Sequence, residues 1–356
     1  MRGQSEALAA VRRHLKPTFA FVEGAEILTD FGHYASVIKL SDELALAICT
    51  DGVGSKTIVA SRLDRYDTIA YDCVAMNVND LICVGARPLA LVDYLGVHSL
   101  DAKRTDDLLR GLSSAAKEAG IAIPGGEVAQ LPEIIGSGPN GEAAFDLVGT
   151  CVGKLHPQNL ILGQSVRPGH VMVGLASSGL HSNGYTLARR VLLEEAGLRL
   201  GERIDELGCT LGEELLRPTA IYVRAMTGLW DERIETHGVV HITGDGFANL
   251  ARLEAETGYM LDSLPPTPPI FDLIAGAGGI DEAEMFRVFN MGVGLVVIVS
   301  EDDEFATIGR LGESGYAAGR IGTVTDEGGV VRIPERGLVG GLANGDGVFE
   351  RQNQAT

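Results

Sequence analysis

Three stretches of the chain place acids, bases and small residues at spacings suited to phosphate and metal chemistry. The first is Asp51-Gly52-Val53-Gly54-Ser55-Lys56, directly after the apolar run Leu44 to Cys49. Gly52 and Gly54 let backbone N–H groups approach an anion, Asp51 can hold a divalent metal and Lys56 can reach a phosphate. On turn chemistry alone the same residues form an ordinary Asp-Gly turn. The second is Asp72 and Asp80, eight residues apart in an apolar stretch. On a helix they lie about 80° apart around the axis and so share a side. Asp80 would fall in the last turn, where the helix dipole disfavours a carboxylate and a nearby cation would relieve it; a solvated acid at a helix end is the plainer reading. The third is Pro124-Gly125-Gly126-Glu127, where a short apolar run again ends in glycines and an acid. Asp51, Asp80 and Glu127 together point to carboxylates gathered at one edge around a metal, with Asp146 as a further candidate.

The second half repeats an arrangement. After the apolar Val171 to Leu175 come Ser177-Ser178-Gly179-Leu180-His181-Ser182-Asn183-Gly184, then a helical pattern over Tyr185 to Ala196. Hydroxyls and glycine at a helix N-terminus suit an anion, although a capped loop with a structural histidine explains the stretch equally well. Val239 to Ile242 contains His241 and leads through Thr243-Gly244-Asp245-Gly246 into a helical pattern over Phe247 to Glu256. Gly136 to Gly141 formally matches G-x-G-x-x-G, but it follows no strand, opens no helix and contains Pro139, so it reads as a loop.

The elements that must position these groups follow from periodicity and breakers. Helices are expected over residues 1–16, Tyr66–Val84, Asp101–Ala119, Thr219–Trp230, Glu282–Val288 and Asp302–Gly312. Strands are expected over Leu44–Cys49, Leu89–Val97, Ile121–Ile123, Leu147–Gly153, Val171–Leu175, Val239–Ile242, Leu295–Ser300, Ile321–Val324 and Val330–Ile333. Pro265 to Pro269 reads as a rigid turn, and the glycine-rich stretch from Gly337 as loose. Weak periodicity with Pro157 and Pro168 puts a boundary between Lys154 and Gly169, giving domains over 1–160 and 161–340 and a tail over 341–356.

Composition narrows the function. The chain has 356 residues and a net charge of −19, from 29 Lys and Arg against 48 Asp and Glu. General attraction to nucleic acid or an anionic membrane is therefore disfavoured, and a phosphorylated substrate needs local cations or metal. The five cysteines are scattered without a C-x-x-C pair, which suits reduced thiols in the cytosol. No apolar run reaches the length of a membrane span, and residues 1–16 lack a signal-peptide core, so a soluble cytoplasmic protein is expected.

The stretches beginning at Asp51, Asp72 and Gly125, with Ser177 to Tyr185, Arg217-Pro218-Thr219-Ala220-Ile221-Tyr222, His241 to Gly244 and Phe289-Asn290-Met291-Gly292-Val293-Gly294, occur in an order that resembles the aminoimidazole ribonucleotide synthetases. The resemblance spans roughly residues 40 to 325 and implies a two-domain α/β (α+β) fold with a mixed sheet packed by helices in each domain. It implies a homodimer formed through N-terminal strands. It also implies an ATP-dependent ring closure of formylglycinamidine ribonucleotide, through a phosphorylated imidate. On that reading ATP and Mg2+ are required, with Asp51, Asp80 and Glu127 on the metal. Gly52, Gly54, Lys56, Asp72, Ser177, Ser178, Gly179, Asn183 and Thr243 are placed on ATP or phosphate. His181 and His241 are candidates for proton transfer.

Three departures stand out: Phe31-Gly32-His33-Tyr34 in place of a glycine-rich nucleotide lid, Gln130 where an acid is usual, and Asp245 where glycine is usual. Asp245 suits a helix N-cap or a further metal ligand. Two other readings remain: a kinase or synthetase of the same superfamily, resembling thiamine-monophosphate kinase, and a non-catalytic nucleotide-binding regulatory subunit.

Overall fold

In the computed structural model, which describes residues 2–136, 144–341 and 348–351, the chain folds around two large mixed sheets. Helix α1 (Arg2–Leu15) precedes the first sheet. Its strands are β1 (Glu26–Ile27), β2 (Ser36–Lys39), β3 (Ala45–Gly52), β4 (Arg87–Val97), β5 (Ala122–Gln130) and β6 (Phe145–Leu155), in spatial order β1-β2-β3-β6-β4-β5. Side chains alternate along β3 and β6: Ala45, Ala47, Cys49, Leu147 and Cys151 are buried, and their neighbours face the other way. The buried face packs against α3 (Asp67–Cys83), which follows the short α2 (Lys56–Leu63), and α4 (Ala102–Ala119) packs against α3. Asp101 caps α4 by accepting from Arg104 N–H, and Gly120 closes it in a left-handed conformation. On the other face Val92 and Tyr94 of β4 remain exposed; Leu89, and Val128 of the edge strand in register with Leu95, are exposed as well.

The second half is built on β7 (Val171–Ala176), the small hairpin β8 (Arg203–Ile204) and β9 (Cys209–Thr210), then β10 (Gly238–His241), β11 (Gly258–Met260), β12 (Val293–Val299), β13 (Ala318–Thr325), β14 (Val331–Ile333), β15 (Leu338–Gly340) and β16 (Glu350–Arg351). Eight of these pair in the order β10-β12-β7-β13-β11-β14-β15-β16. β7 and β12 are continuous apolar runs because both of their faces are covered. The helices are α5 (Tyr185–Arg189), continued by a π-helical turn to Glu195, α6 (Leu211–Leu215), α7 (Val223–Asp231), α8 (Pro269–Gly278), α9 (Glu282–Val288) and α10 (Glu304–Gly312).

Helix α3 joins the halves. It is buried almost throughout, with the first sheet on one side and β10 and α7 of the second half on the other. A surface helix would show a polar stripe; α3 has instead isolated polar residues, Asp72, Asn77 and Asn79, each fully buried.

Several expected boundaries change. β5 does not stop at Pro124 but runs through Pro124-Gly125-Gly126-Glu127, because parallel pairing with β4 (Val92 to Gly125, Tyr94 to Glu127) carries the ladder past the glycines. The helix expected from Thr219 begins at Val223, since the backbone N–H groups of Thr219 and Tyr222 are drawn into bonds with Asp72 and Asn79 of α3. Pro269 opens a helix rather than ending a turn, a position where its missing N–H is no loss. The stretch after Gly337 is not loose at its start: β15 pairs with β14, and β16 returns to pair with β15. Residues 137–141 of the G-x-G-x-x-G match, and 342–347 and 352–356 of the tail, lie outside the described residues.

Candidate active site between the two halves

Asp51 is the penultimate residue of β3, not part of the following loop, and pairs with Gly149 of β6. Asn77 of α3 fixes its backbone from the side: Asp51 N–H donates to Asn77 Oδ1 (3.1 Å), and Asn77 Nδ2 donates to the Asp51 carbonyl (3.1 Å). This approach requires glycine at 149, where a Cβ would lie 2.7 Å from Asn77 Nδ2. Burial, and then the neighbouring charge of Asp80, push the Asp51 carboxyl above its ordinary value. Asp80, in the last turn of α3, meets His241 at the end of β10, with His241 Nδ1 3.0 Å from Asp80 Oδ1. The partner that this helix-end carboxylate finds is thus an imidazole nitrogen.

His241 is fully buried, and its Nε2 has no hydrogen-bond partner. The Asp80 contact favours the proton on Nδ1, leaving Nε2 with its lone pair free. His181 lies opposite, ring centroids 6.4 Å apart. Its Nε2 accepts from Ser178 N–H (3.2 Å), so in the neutral ring the proton sits on Nδ1, which is buried and unpartnered. Burial first, then His241 and Lys56, hold His181 well below the usual histidine value, favouring the neutral ring. The two rings therefore present a free acceptor and a free donor. Asn183 Nδ2 and Asn249 Nδ2 are also buried without acceptors. Both belong to the adjoining loops: Asn249 Oδ1 accepts from Thr243 N–H (2.7 Å), and a Cβ on Gly244 would lie 3.3 Å from Asn183 Oδ1. Unpaired buried polar atoms are costly, so three donors and one acceptor on His181, Asn183, Asn249 and His241 mark a place shaped for a polar ligand.

Other expected roles are corrected. Lys56 is fully buried, and its ammonium donates to Asp72 (2.9 Å), the His181 carbonyl (3.1 Å) and the Arg217 carbonyl (2.6 Å), leaving nothing for a phosphate. Asp72 is equally sealed, accepting also from Thr219 N–H (2.8 Å) and Thr219 Oγ1 (2.5 Å). Glu127 does not join Asp51 and Asp80. It lies three strands from β3, roughly 14 Å at ~4.8 Å per strand, and in register with Tyr94 and Val148, on the face opposite Asp51. Asp146 sits exposed on β6, and among the described residues no group of three or more His, Cys, Asp and Glu is placed to hold a metal.

Within the serine loop, Ser177 donates to the Gly292 carbonyl through N–H and to Asn290 through Oγ. Ser178 donates to His181 and the Pro218 carbonyl, so both serines spend their donors inside the protein. Gly179 gives its carbonyl to Asn290, and Thr243 directs N–H and hydroxyl to Asn249. Gly52 N–H closes on Asp51 Oδ1 (2.8 Å), and Gly54 turns the chain with φ +69° into α2. Of the expected phosphate contacts, Asn183 keeps a side-chain donor with no partner. Asp245 stands at the N-cap of the 3-10 helix Gly246–Arg252, but its side chain makes no capping bond and pairs instead with Arg252 at 2.7 Å.

The Phe31–Tyr34 segment closes over this region. Tyr34 donates to the His241 carbonyl (2.9 Å), His33 meets Glu254 (2.9 Å), and the Arg252 guanidinium lies 5.2 Å from the Tyr34 ring centre. Asn77, Asn79, Asn249 and Asn290 were passed over by the sequence reading. Their signal is an amide in an otherwise apolar stretch, seen most plainly in Asp72 to Asp80. A cleft of about 980 Å³, lined by Arg87, Lys154, His156, Trp230 and Arg233, lies along the linker and contains none of these groups.

Residues 32–155 match the family model described as AIR synthase related protein, N-terminal domain, and residues 167–334 match its C-terminal domain. The chain is 45% identical over 282 residues to a phosphoribosylformylglycinamidine cyclo-ligase of Methanobrevibacter smithii, covering 79% of this chain and 80% of that one. It is 43% identical over 336 residues to the enzyme of that name from Thermococcus kodakarensis, covering 94% and 95%. Among solved structures it resembles hydrogenase maturation protein HypE in complex with ATP (TM-score 0.60, 20% identity, 92% and 90% covered). It also resembles T. maritima PurL complexed with FGAR (TM-score 0.58, 17% identity, 89% and 47% covered). At these identities the structures bear on the fold alone.

Proposed function

Because the chain belongs to the AIR synthase-related family, among the phosphoribosylformylglycinamidine cyclo-ligases, we propose that its chemistry is centred on Asp80, His241 and His181. The protein is an ATP-dependent ligase of purine biosynthesis that closes formylglycinamidine ribonucleotide to aminoimidazole ribonucleotide. The formyl oxygen takes the terminal phosphoryl group of ATP, releasing ADP; a ring-forming nitrogen attacks the activated carbon, loses a proton, and phosphate departs with the oxygen. His241 Nε2, its lone pair free and its ring oriented by Asp80, accepts the proton lost at nitrogen. His181 Nδ1–H, held in a neutral ring, donates to the oxygen on which negative charge develops. Asn183 and Asn249 offer their unpaired amide donors to polar groups of the bound ligands.

Asp51 suits a magnesium ion brought in with ATP. Its carboxyl is raised by burial and by Asp80, the mark of an acid held where a cation would relieve it, and Mg2+ is often held by one or two carboxylates plus phosphate oxygens. When bound, the ion neutralises phosphate charge. Homodimerisation is supported by the exposed Leu89, Val92, Tyr94 and Val128 on the first sheet. Sedimentation of a Val92→Asp variant tests it, with a shift to monomer as the expected result. No helix among the described residues is long and apolar enough to cross a membrane.

The observation that carries the reading is the Asp80–His241 pair with an orphaned Nε2, its ring 6.4 Å from that of His181, whose Nδ1 is orphaned too. Turnover with ATP and Mg2+, following ADP and aminoimidazole ribonucleotide together, tests it. Matched product formation that collapses in His241→Gln supports the assignment; undiminished kcat in that variant removes His241 from the chemistry.

A further inference from the structure

The geometry points to Lys56 as a positioning residue for His181: sealed between the halves, its ammonium holds the His181 carbonyl and so fixes the backbone that carries the imidazole beside His241. This rests on the reading above that His181 takes part in the reaction. His181 has φ +63°, a left-handed conformation that residues bearing a side chain rarely adopt, so something must hold it. Two bonds do: Ser178 N–H to the ring, and Lys56 Nζ to the carbonyl at 3.1 Å. Lys56 is itself fixed from three directions, with Asp72 on α3, the Arg217 carbonyl, and the Tyr185 ring centre 5.4 Å away. Asp72 is braced in turn by Thr219 N–H and Oγ1, and Thr219 Oγ1 lies 3.1 Å from Ser182 Oγ, next to His181. The ring fits only because residue 294 is glycine, where a Cβ would lie 2.5 Å from His181 Cε1. A change in the Lys56 knot therefore reaches the imidazole without touching any ligand.

A buried ion pair could also serve stability alone, and the test separates the two. In the double variant Lys56→Met with Asp72→Asn, both charges go while an acceptor remains for Thr219, and uncharged replacement of a buried pair is commonly tolerated. The expected result is a folded protein by thermal melting, ATP affinity by calorimetry within about threefold of wild type, and kcat reduced about 100-fold, the scale of a 1 Å misplacement. Nitrogen-15 NMR of the His181 ring should show loss of the single Nδ1–H tautomer. A folded double variant with wild-type kcat and an unchanged ring spectrum overturns the inference. His181→Gln, run alongside, keeps the two readings apart. Undiminished kcat there removes the role of His181 and this inference with it. Loss there beside a fully active double variant overturns this inference alone. Should the double variant not fold, Thr219→Val takes its place, removing one donor from Asp72. A several-fold fall in kcat at constant ATP affinity is then expected, and wild-type kcat overturns.

Discussion

Helix α3 carries two acids across the same junction, eight residues apart, and they meet opposite fates. Asp72 is sealed with Lys56 and Thr219, and the Lys56 ammonium has an acceptor for each of its three protons. Asp80 meets His241 through one nitrogen and leaves the other bare. Every ammonium proton of Lys56 has an acceptor, so that lysine locks the halves together, while Asp72 Oδ2 meets it only as an ion pair at 2.8 Å; His241, by contrast, keeps a nitrogen that can exchange a proton. Saturation of the basic nitrogen, more than the acid beside it, divides structure from chemistry here.

That contrast can be broken at either end. The largest effect is expected from Lys56→Met alone, which leaves Asp72 buried and unpaired: a loss of about 3–5 kcal/mol in urea unfolding, and restoration of most of it when Asp72→Asn is added. At the other acid, His241→Gln should leave the unfolding midpoint nearly unchanged and lower kcat by about 10²–10⁴-fold in steady-state turnover. Equal stability losses at both ends would erase the distinction.

A smaller effect follows from His181. Its folded-state pKa is depressed, so it contributes stability above the unfolded value of about 6.5 that is lost as pH falls below it. Wild type should weaken between pH 7 and 5 in urea titrations, and His181→Gln should flatten part of that slope. The smallest concerns Asp51, whose pKa is raised. Its contribution is present below the unfolded value near 3.9 and lost as pH rises through the folded one. Asp51→Asn should therefore raise the melting temperature of the free protein at pH 7 by a few degrees, roughly 1 kcal/mol, and abolish any further rise on adding Mg2+ with ATP.

Much of this architecture is legible because burial writes itself as apolar runs: Val171 to Leu175 and Leu295 to Ser300 read as strands and the span from Tyr66 to Val84 as a helix, although that this helix is covered on nearly every side is seen only in the structure. Glu127 was misplaced because proline and glycines imply a turn, whereas pairing with β4, set by residues some thirty positions earlier, carries the strand through them. Lys56 was misassigned for a related reason. A lysine after two glycines suits an incoming phosphate, and nothing local announces that Asp72 and two carbonyls from the other half will claim it. The histidines were visible, but the nitrogen each leaves free depends on partners such as Ser178 N–H and Asp80.

The sealing of α3 also bears on how such a protein can be taken apart or rearranged. Asn79 bonds the Ala220 carbonyl and the Tyr222 N–H, and Asp72 bonds Thr219, so four residues of the second half complete a helix belonging to the first. Cutting the gene between the two sheets would strip that helix of its partners. A recombination grafting a different second half would succeed only if the newcomer brought an equivalent of residues 219–222, making this short strip, rather than the linker, the seam along which the halves are inherited together.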